Sequence, residues 1–118
     1  CNIRFTTPRG EADVVDRIRR LTGINEIEVM NSCVPVFSRP DDPFVNRVKN
    51  IAERVRGREI TLYRMNGATD ARHVAQVYPD IPIVIDGSKC GNFHGPEEWL
   101  DLEDTNTLIQ IYEEVIRS

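Results

Sequence analysis

Long apolar runs are the first thing this sequence lacks. None approaches the roughly 20 residues needed to cross a bilayer, which argues against a membrane-spanning chain. No signal peptide is visible, because the N-terminus already alternates like a strand. The chain opens on Cys1 rather than Met, so the natural gene product is expected to begin upstream. Cysteine is scarce: Cys1, Cys33 and Cys90 are scattered, odd in number and without C-x-x-C spacing. That excludes a disulfide framework and fits a reducing compartment, here read as the cytoplasm. Basic charge is not in excess either. With 15 Lys and Arg against 19 Asp and Glu, the net charge is −4, and no basic face offers itself to nucleic acid. No G-x-S-x-G, P-loop, H-E-x-x-H or G-x-G-x-x-G occurs, and Gly87 and Gly91 do not make a phosphate loop. Histidine is limited to His73 and His94.

What is present suits one ordinary soluble domain: 118 residues, 40% hydrophobic and 29% charged, enough for a core. Residues 1 to 7 alternate apolar and polar as a strand does, closed by Pro8-Arg9-Gly10. Glu11 to Leu21 places Val14, Val15, Ile18 and Leu21 on one helical face, with Thr22-Gly23 as its stop. The arginines Arg17, Arg19 and Arg20 form a solvated face balanced by Glu11, Asp13 and Asp16. Glu26 to Phe37 is β-rich and reads as a second strand broken near Pro35, so the first third is β-α-β. Ser38 to Pro43 reads as a linker. It also starts the next helix, with Asp42 as N-cap and Pro43 at the first helical position. Phe44, Val45, Val48, Ile51, Ala52 and Val55 make that helix's apolar face, and Gly57 ends it. Glu59 to Met65 reads as a strand, Asn66-Gly67-Ala68 as a turn, and Thr69 or Asp70 as the cap of a short helix reaching about Tyr78. Ile81 to Ile85 is nearly all apolar, as expected of a strand buried on both faces. Residues 86 to 93 read as loop, and a last helix runs from about Thr105 to Arg117. Helices alternating with strands give a mixed α/β protein. There is no internal repeat or low-complexity segment.

Two stretches hold the chemistry. Asn66 to Arg72 follows a strand and opens a helix, where small residues let backbone approach a ligand. A helix start favours a carboxylate or phosphate, and Arg72 can clamp a carboxylate with two hydrogen bonds. The plainer reading is a capped helix with Asp70 and Arg72 in solvent. His94-Gly95-Pro96-Glu97-Glu98 lies in a loop after the buried strand. Pro96 keeps His94 and Glu98 off one continuous helix face and begins a short turn over Glu97 to Leu100. A neutral imidazole there can bind zinc while a nearby carboxylate orients it; the plainer reading is an ordinary surface histidine. Cys90, four residues before His94, has no second Cys/His pair with which to form a structural zinc site. His73 is read as packed or solvated, and Phe93, Trp99 and Tyr112 as core or pocket wall.

Taken in order along the chain, these segments resemble the C-terminal part of the M20 metallopeptidase family, in the branch of succinyl-diaminopimelate desuccinylase and acetylornithine deacetylase. Asn2-Ile3-Arg4-Phe5 resembles an Arg-centred strand late in the family's lid, or dimerisation, domain. Asp42 to Arg56 resembles the helix by which the chain returns to the catalytic domain. Gly67 to Arg72 resembles the glycine-rich turn followed by Asp and Arg. His94 with Glu98, then Leu102-Glu103-Asp104 and a final helix, resembles the C-terminal His signature. Asn66-Gly67-Ala68 departs from the family's longer Gly/Ser run, and Asp86-Gly87-Ser88-Lys89 from a Gly-Pro turn, which opens the substrate and the loop shape to question.

The resemblance implies an α/β architecture. Residues 1–39 would be a β-α-β remnant of a ferredoxin-like lid domain, and residues 40–118 the C-terminal strands and helices of a zinc-peptidase catalytic domain. It implies a metal-dependent amidohydrolase that cleaves the amide of N-acyl amino acids, working as a homo-oligomer and with neither nucleic acid nor membrane as a partner. By resemblance, His94 is one ligand of a two-zinc site and Glu98 its supporting carboxylate, with Asp70 a further supporting carboxylate. Arg4, Gly67 and Arg72 would hold substrate carboxylates. The family takes its other ligands from an N-terminal half: a His-x-Asp segment, a bridging Asp and a Glu-Glu pair. This sequence has no His-x-Asp, and Glu97-Glu98 already belongs to the His94 signature. One histidine cannot hold a catalytic metal pair, so these 118 residues are expected to be inactive alone and to pack with that N-terminal half or to self-associate. The alternative from another class is a non-catalytic small-ligand-binding or interaction module that uses the turn near Gly67 and needs no metal.

Overall fold

A computed structural model describes residues 3–5, 10–65 and 67–118. Their order is α1 (Glu11–Thr22), α2 (Pro43–Arg56), α3 (Ala71–Val77), β1 (Cys90–Gly91), β2 (Trp99–Leu100) and α4 (Leu102–Arg117). Helices with a small two-stranded antiparallel sheet are compatible with an α/β protein. No helix among the described residues is long and apolar enough to cross a membrane. The chain divides into two compact units: Cys1–Phe37 with Arg64–Ile83, and Ser38–Tyr63 with Val84–Ser118.

In the first unit, α1 begins at Gly10 without a side-chain cap and ends on Gly23, whose φ of 72° is the left-handed turn that suits glycine. The Gly23 N–H donates to the Arg19 carbonyl at 2.9 Å. Glu11 and Asp13 in the first turn and Arg19 and Arg20 in the last complement the helix dipole. Val14, Val15 and Ile18 are half-buried, but Leu21 is exposed, and no described residue of this unit is fully buried. The Arg64 guanidinium lies over the Phe37 ring, 5.8 Å from its centroid.

The second unit contains every buried hydrophobic residue of the described chain: Val45, Val48, Ile51 and Ala52 on α2, and Leu108 and Ile111 on α4. The two helices pack along this seam, and Val55, Ile60 and Val115 close around Ile51, Ala52 and Ile111. The sequence sets both ends of α2 as expected. The Asp42 carboxylate accepts from the Phe44 N–H at 2.8 Å, Pro43 occupies the first turn, and Gly57 ends the helix at φ 63°. Glu53 accepts from Lys49 Nζ at 2.6 Å and from the Ile60 N–H at 3.0 Å, tying the segment after α2 back onto it. The Ile60 amide, then Lys49, holds the Glu53 carboxyl below its ordinary range.

Three expected strands are not formed as regular strands. Among the described residues, 26–37, 59–65 and 81–85 contain no β-strand, and the sheet consists of two short strands elsewhere. A strand is defined by the neighbour that takes its N–H and C=O groups, and apolar patterning alone does not supply one. Ile81 and Ile85, expected to be buried on both faces, are 52% and 51% exposed. For the first strand expectation, residues 1–2 and 6–9 lie outside the described residues. The last helix starts at Leu102, three residues before the expected Thr105, because Asp101 caps it by accepting from the Glu103 and Asp104 N–H groups, each at 3.0 Å.

Candidate functional site

His94 sits near the tip of a hairpin in the second unit. β1 and β2 pair antiparallel, with Cys90 opposite Leu100 and Gly91 opposite Trp99. The Trp99 indole lies directly on Gly91: a Cβ there would stand 2.7 Å from its Nε1, so only glycine admits the ring. Asn92 and His94 both take positive φ, 57° and 61°. Asparagine and histidine are both among the non-glycine residues that take that conformation most readily. The turn is closed by the Gly95 N–H donating to the Asn92 carbonyl at 2.8 Å and by Asn92 Nδ2 donating to the Glu97 carbonyl at 3.2 Å. A Cβ at Gly95 would lie 2.9 Å from the Asn92 carbonyl oxygen. His94 and Glu98 are brought together, though by backbone: the His94 N–H donates to Glu98 Oε2 at 3.4 Å. His94 itself is exposed.

The base of the hairpin is bonded to α2 and α4. The Asp101 N–H donates to the Lys89 carbonyl at 2.9 Å. The Lys89 N–H donates to Asp104 Oδ2 at 2.7 Å. Arg56 pairs with the other Asp104 oxygen and lies 4.0 Å from Asp86, and the Tyr112 hydroxyl donates to the Asp86 carbonyl at 3.1 Å. The Lys89 amide, together with Arg56 and Arg58, holds the Asp104 carboxyl below its ordinary range. Burial, with Asp86 nearby, pushes the Tyr112 hydroxyl up. Asp104, Arg56 and Tyr112 were not singled out from sequence as groups that hold the loop. The pairing of Arg56 with Asp104 spans 48 residues and leaves no local signal. The Asp101 cap, with Glu103 and Asp104 in the first turn, is a local signal that the expected start at Thr105 passes over. Phe93, Trp99 and Tyr112 are exposed rather than core, because the hairpin carries the first two out onto the surface.

The other sequence-derived site residues belong to the first unit. Asp70 is 95% exposed, adopts a helical conformation and makes no side-chain cap; Arg72 Nη2 lies 3.7 Å from its carboxylate. Instead, the Thr69 and Asp70 carbonyls accept from the Arg72 and His73 N–H groups at 3.2 and 3.0 Å. Arg72 Nε is buried and has no hydrogen-bond partner among the described residues, a cost the protein bears unless another acceptor meets it. Gly67 has the Met65 side chain beside it at ordinary contact distance. Arg4 is exposed. His73 is exposed, in keeping with a solvated residue.

Among the described residues, no three His, Cys, Asp or Glu side chains converge where a metal ion could sit. His94 with Glu98 is two groups at most, and zinc needs at least three protein ligands. The residues described here therefore do not fit a two-metal centre by themselves.

No curated protein and no solved structure matches this chain. The family model for peptidase family M20/M25/M40, in contrast, matches residues 8–118, a span that contains the His94 hairpin, the Arg72 turn and both helices of the core. Over that span, which is nearly all of its length, this chain belongs to peptidase family M20/M25/M40.

Proposed function

We propose that the chain forms the C-terminal part of a metal-dependent amidohydrolase that cleaves the amide of N-acyl amino acids, in the manner of succinyl-diaminopimelate desuccinylase or acetylornithine deacetylase. In this reading residues 1–39 are the end of the lid domain and 40–118 the end of the catalytic domain. The enzyme is cytoplasmic and homo-oligomeric, and the segment that completes the site carries the remaining ligands of two zinc ions. The family match over residues 8–118 carries the reading.

Three features of the chain support the division of labour. His94 is presented in an exposed turn whose hydrogen bonds among the described residues use backbone, the Asn92 side chain and the Glu98 carboxylate on the His94 N–H, and none of these uses its imidazole, which would serve as one ligand. Glu98 sits beside the same residue as a supporting carboxylate. Arg72, whose buried Nε has no hydrogen-bond partner among the described residues, would offer its guanidinium to a substrate carboxylate, with Arg4 and the backbone near Gly67 as further contacts and Asp70 alongside. Among the described residues too few ligands converge to hold the metal, so the chemistry would need the segment that completes the site.

The test is genetic and then enzymatic. The reading frame upstream should encode a His-x-Asp segment and a Glu-Glu pair, and the polypeptide that includes them should hydrolyse N-succinyl or N-acetyl amino acids. In that polypeptide, His94→Ala should abolish turnover and Arg72→Ala should chiefly raise KM. An upstream frame without those ligands, or full activity in His94→Ala, would sink the reading.

A further inference from the structure

Asp104 touches the His94 hairpin where it meets the helices. One carboxylate oxygen accepts from the Lys89 N–H at 2.7 Å, and the other takes the Arg56 guanidinium, which is only 8% exposed. Arg56 reaches on to Asp86 at 4.0 Å, and Tyr112 of α4 holds the Asp86 carbonyl. The segment from Asp86 to Lys89 is thus fastened to α2 and α4 at both ends. Beyond it, two residue pairs of sheet and one tight turn lead to His94. Two-stranded pairing of that length does not hold itself in water, so the direction of the tip is set at the base.

We propose that Asp104, clasped between Arg56 and the Lys89 amide, is the positioning residue that fixes where the His94 turn is held. Its functional meaning rests on the reading of His94 as a metal ligand; the geometry does not. Removing the carboxylate leaves the Arg56 charge and the Lys89 N–H without their acceptor. Both losses fall at the base of the hairpin; the Arg56 pair that ties α2 to α4 there is lost, while the apolar contacts of the seam around Ile51 and Ile111 are not touched by the substitution.

Amide hydrogen exchange and the His94 imidazole resonances, recorded by NMR on the 118-residue chain, test this. Asp104→Ala should speed exchange at Gly95 and Asp101 by about tenfold or more and shift the His94 ring signals, while Ile51 and Ile111 change by no more than about threefold. Asp104→Asn keeps one oxygen for the Lys89 N–H and should recover part of the protection. If the turn amides and His94 signals stay put, or loosen only in step with Ile51 and Ile111, the positioning role is refuted. If Asp104→Ala does not fold, Asp104→Asn decides: loosening of Gly95 and Asp101 beyond the core supports the role, and loosening no greater than the core's ends it. The ligand reading fails separately, through an active His94→Ala enzyme, so the two failures are told apart.

Discussion

Replacing Ile111 with Ala tests the packing on which the hairpin stands. Among the described residues, Ile111 is the one large side chain with no exposure, set among Ile51, Ala52, Val55, Ile60 and Val115. The substitution deletes three carbons, worth about 0.8 kcal/mol each on transfer from water, or about 2.4 kcal/mol. The cavity left behind raises this, and buried Ile→Ala changes run about 2–5 kcal/mol. A cost of about 3–4 kcal/mol is expected here. That is comparable to the whole stability, about 3–5 kcal/mol, that a single core supplies in so small a unit. The variant should therefore be largely unfolded in the second unit at 25 °C. Circular dichroism at 222 nm across a urea series gives the number, and Ile116→Ala serves as the control, since Ile116 lies on the same helix but is 82% exposed and should cost under about 0.5 kcal/mol. If Ile111→Ala shifts stability by less than about 1 kcal/mol, or no more than the control, α2 and α4 do not pack as described and the base of the hairpin is misplaced.

Other consequences follow from the same geometry. Gly91→Ala places a methyl group against the rigid Trp99 indole; it should cost about 1–3 kcal/mol and red-shift the emission of Trp99, the sole tryptophan. The Asp104 carboxyl is held below its ordinary range, so its contribution is fully present above the unfolded carboxylate value of about 4. That contribution is lost as pH falls through the lower folded value. Exchange at Lys89 and Asp101 should accordingly stay constant from about pH 7 to 5 after correction for intrinsic rates, then rise below about pH 4; a rise already near pH 6 would contradict the assignment.

The helices were legible because their signals are local. Asp42-Pro43 and Gly57 bracket α2 by capping chemistry, and the 3.6-residue spacing of Val45, Val48, Ile51, Ala52 and Val55 names its inner face. The start of α4 expected from apolar spacing, which begins at Leu108, falls three residues late, because Asp101 does the capping. The apolar segments at 26–37, 59–65 and 81–85 have strand-like composition, but pairing is a property of two segments and composition reports only one. β1 and β2 are two residues each, too short for alternation to show. At the candidate site, Pro96 keeps His94 and Glu98 off one helix face, and the contact between them is made by the His94 backbone N–H with Glu98 Oε2. That Glu98 meets the backbone amide follows from the left-handed turn at His94, which no residue type there announces.

The most direct test of the central claim, that this chain supplies part of a hydrolytic site and not the whole, is zinc titration calorimetry of the 118-residue chain, with hydrolysis of N-succinyl and N-acetyl amino acids followed on the same samples. With no three His, Cys, Asp or Glu side chains converging among the described residues, the account predicts no stoichiometric site tighter than micromolar and no turnover above background. One or two zinc ions bound per chain at nanomolar affinity, with amide cleavage that His94→Ala removes, would contradict it.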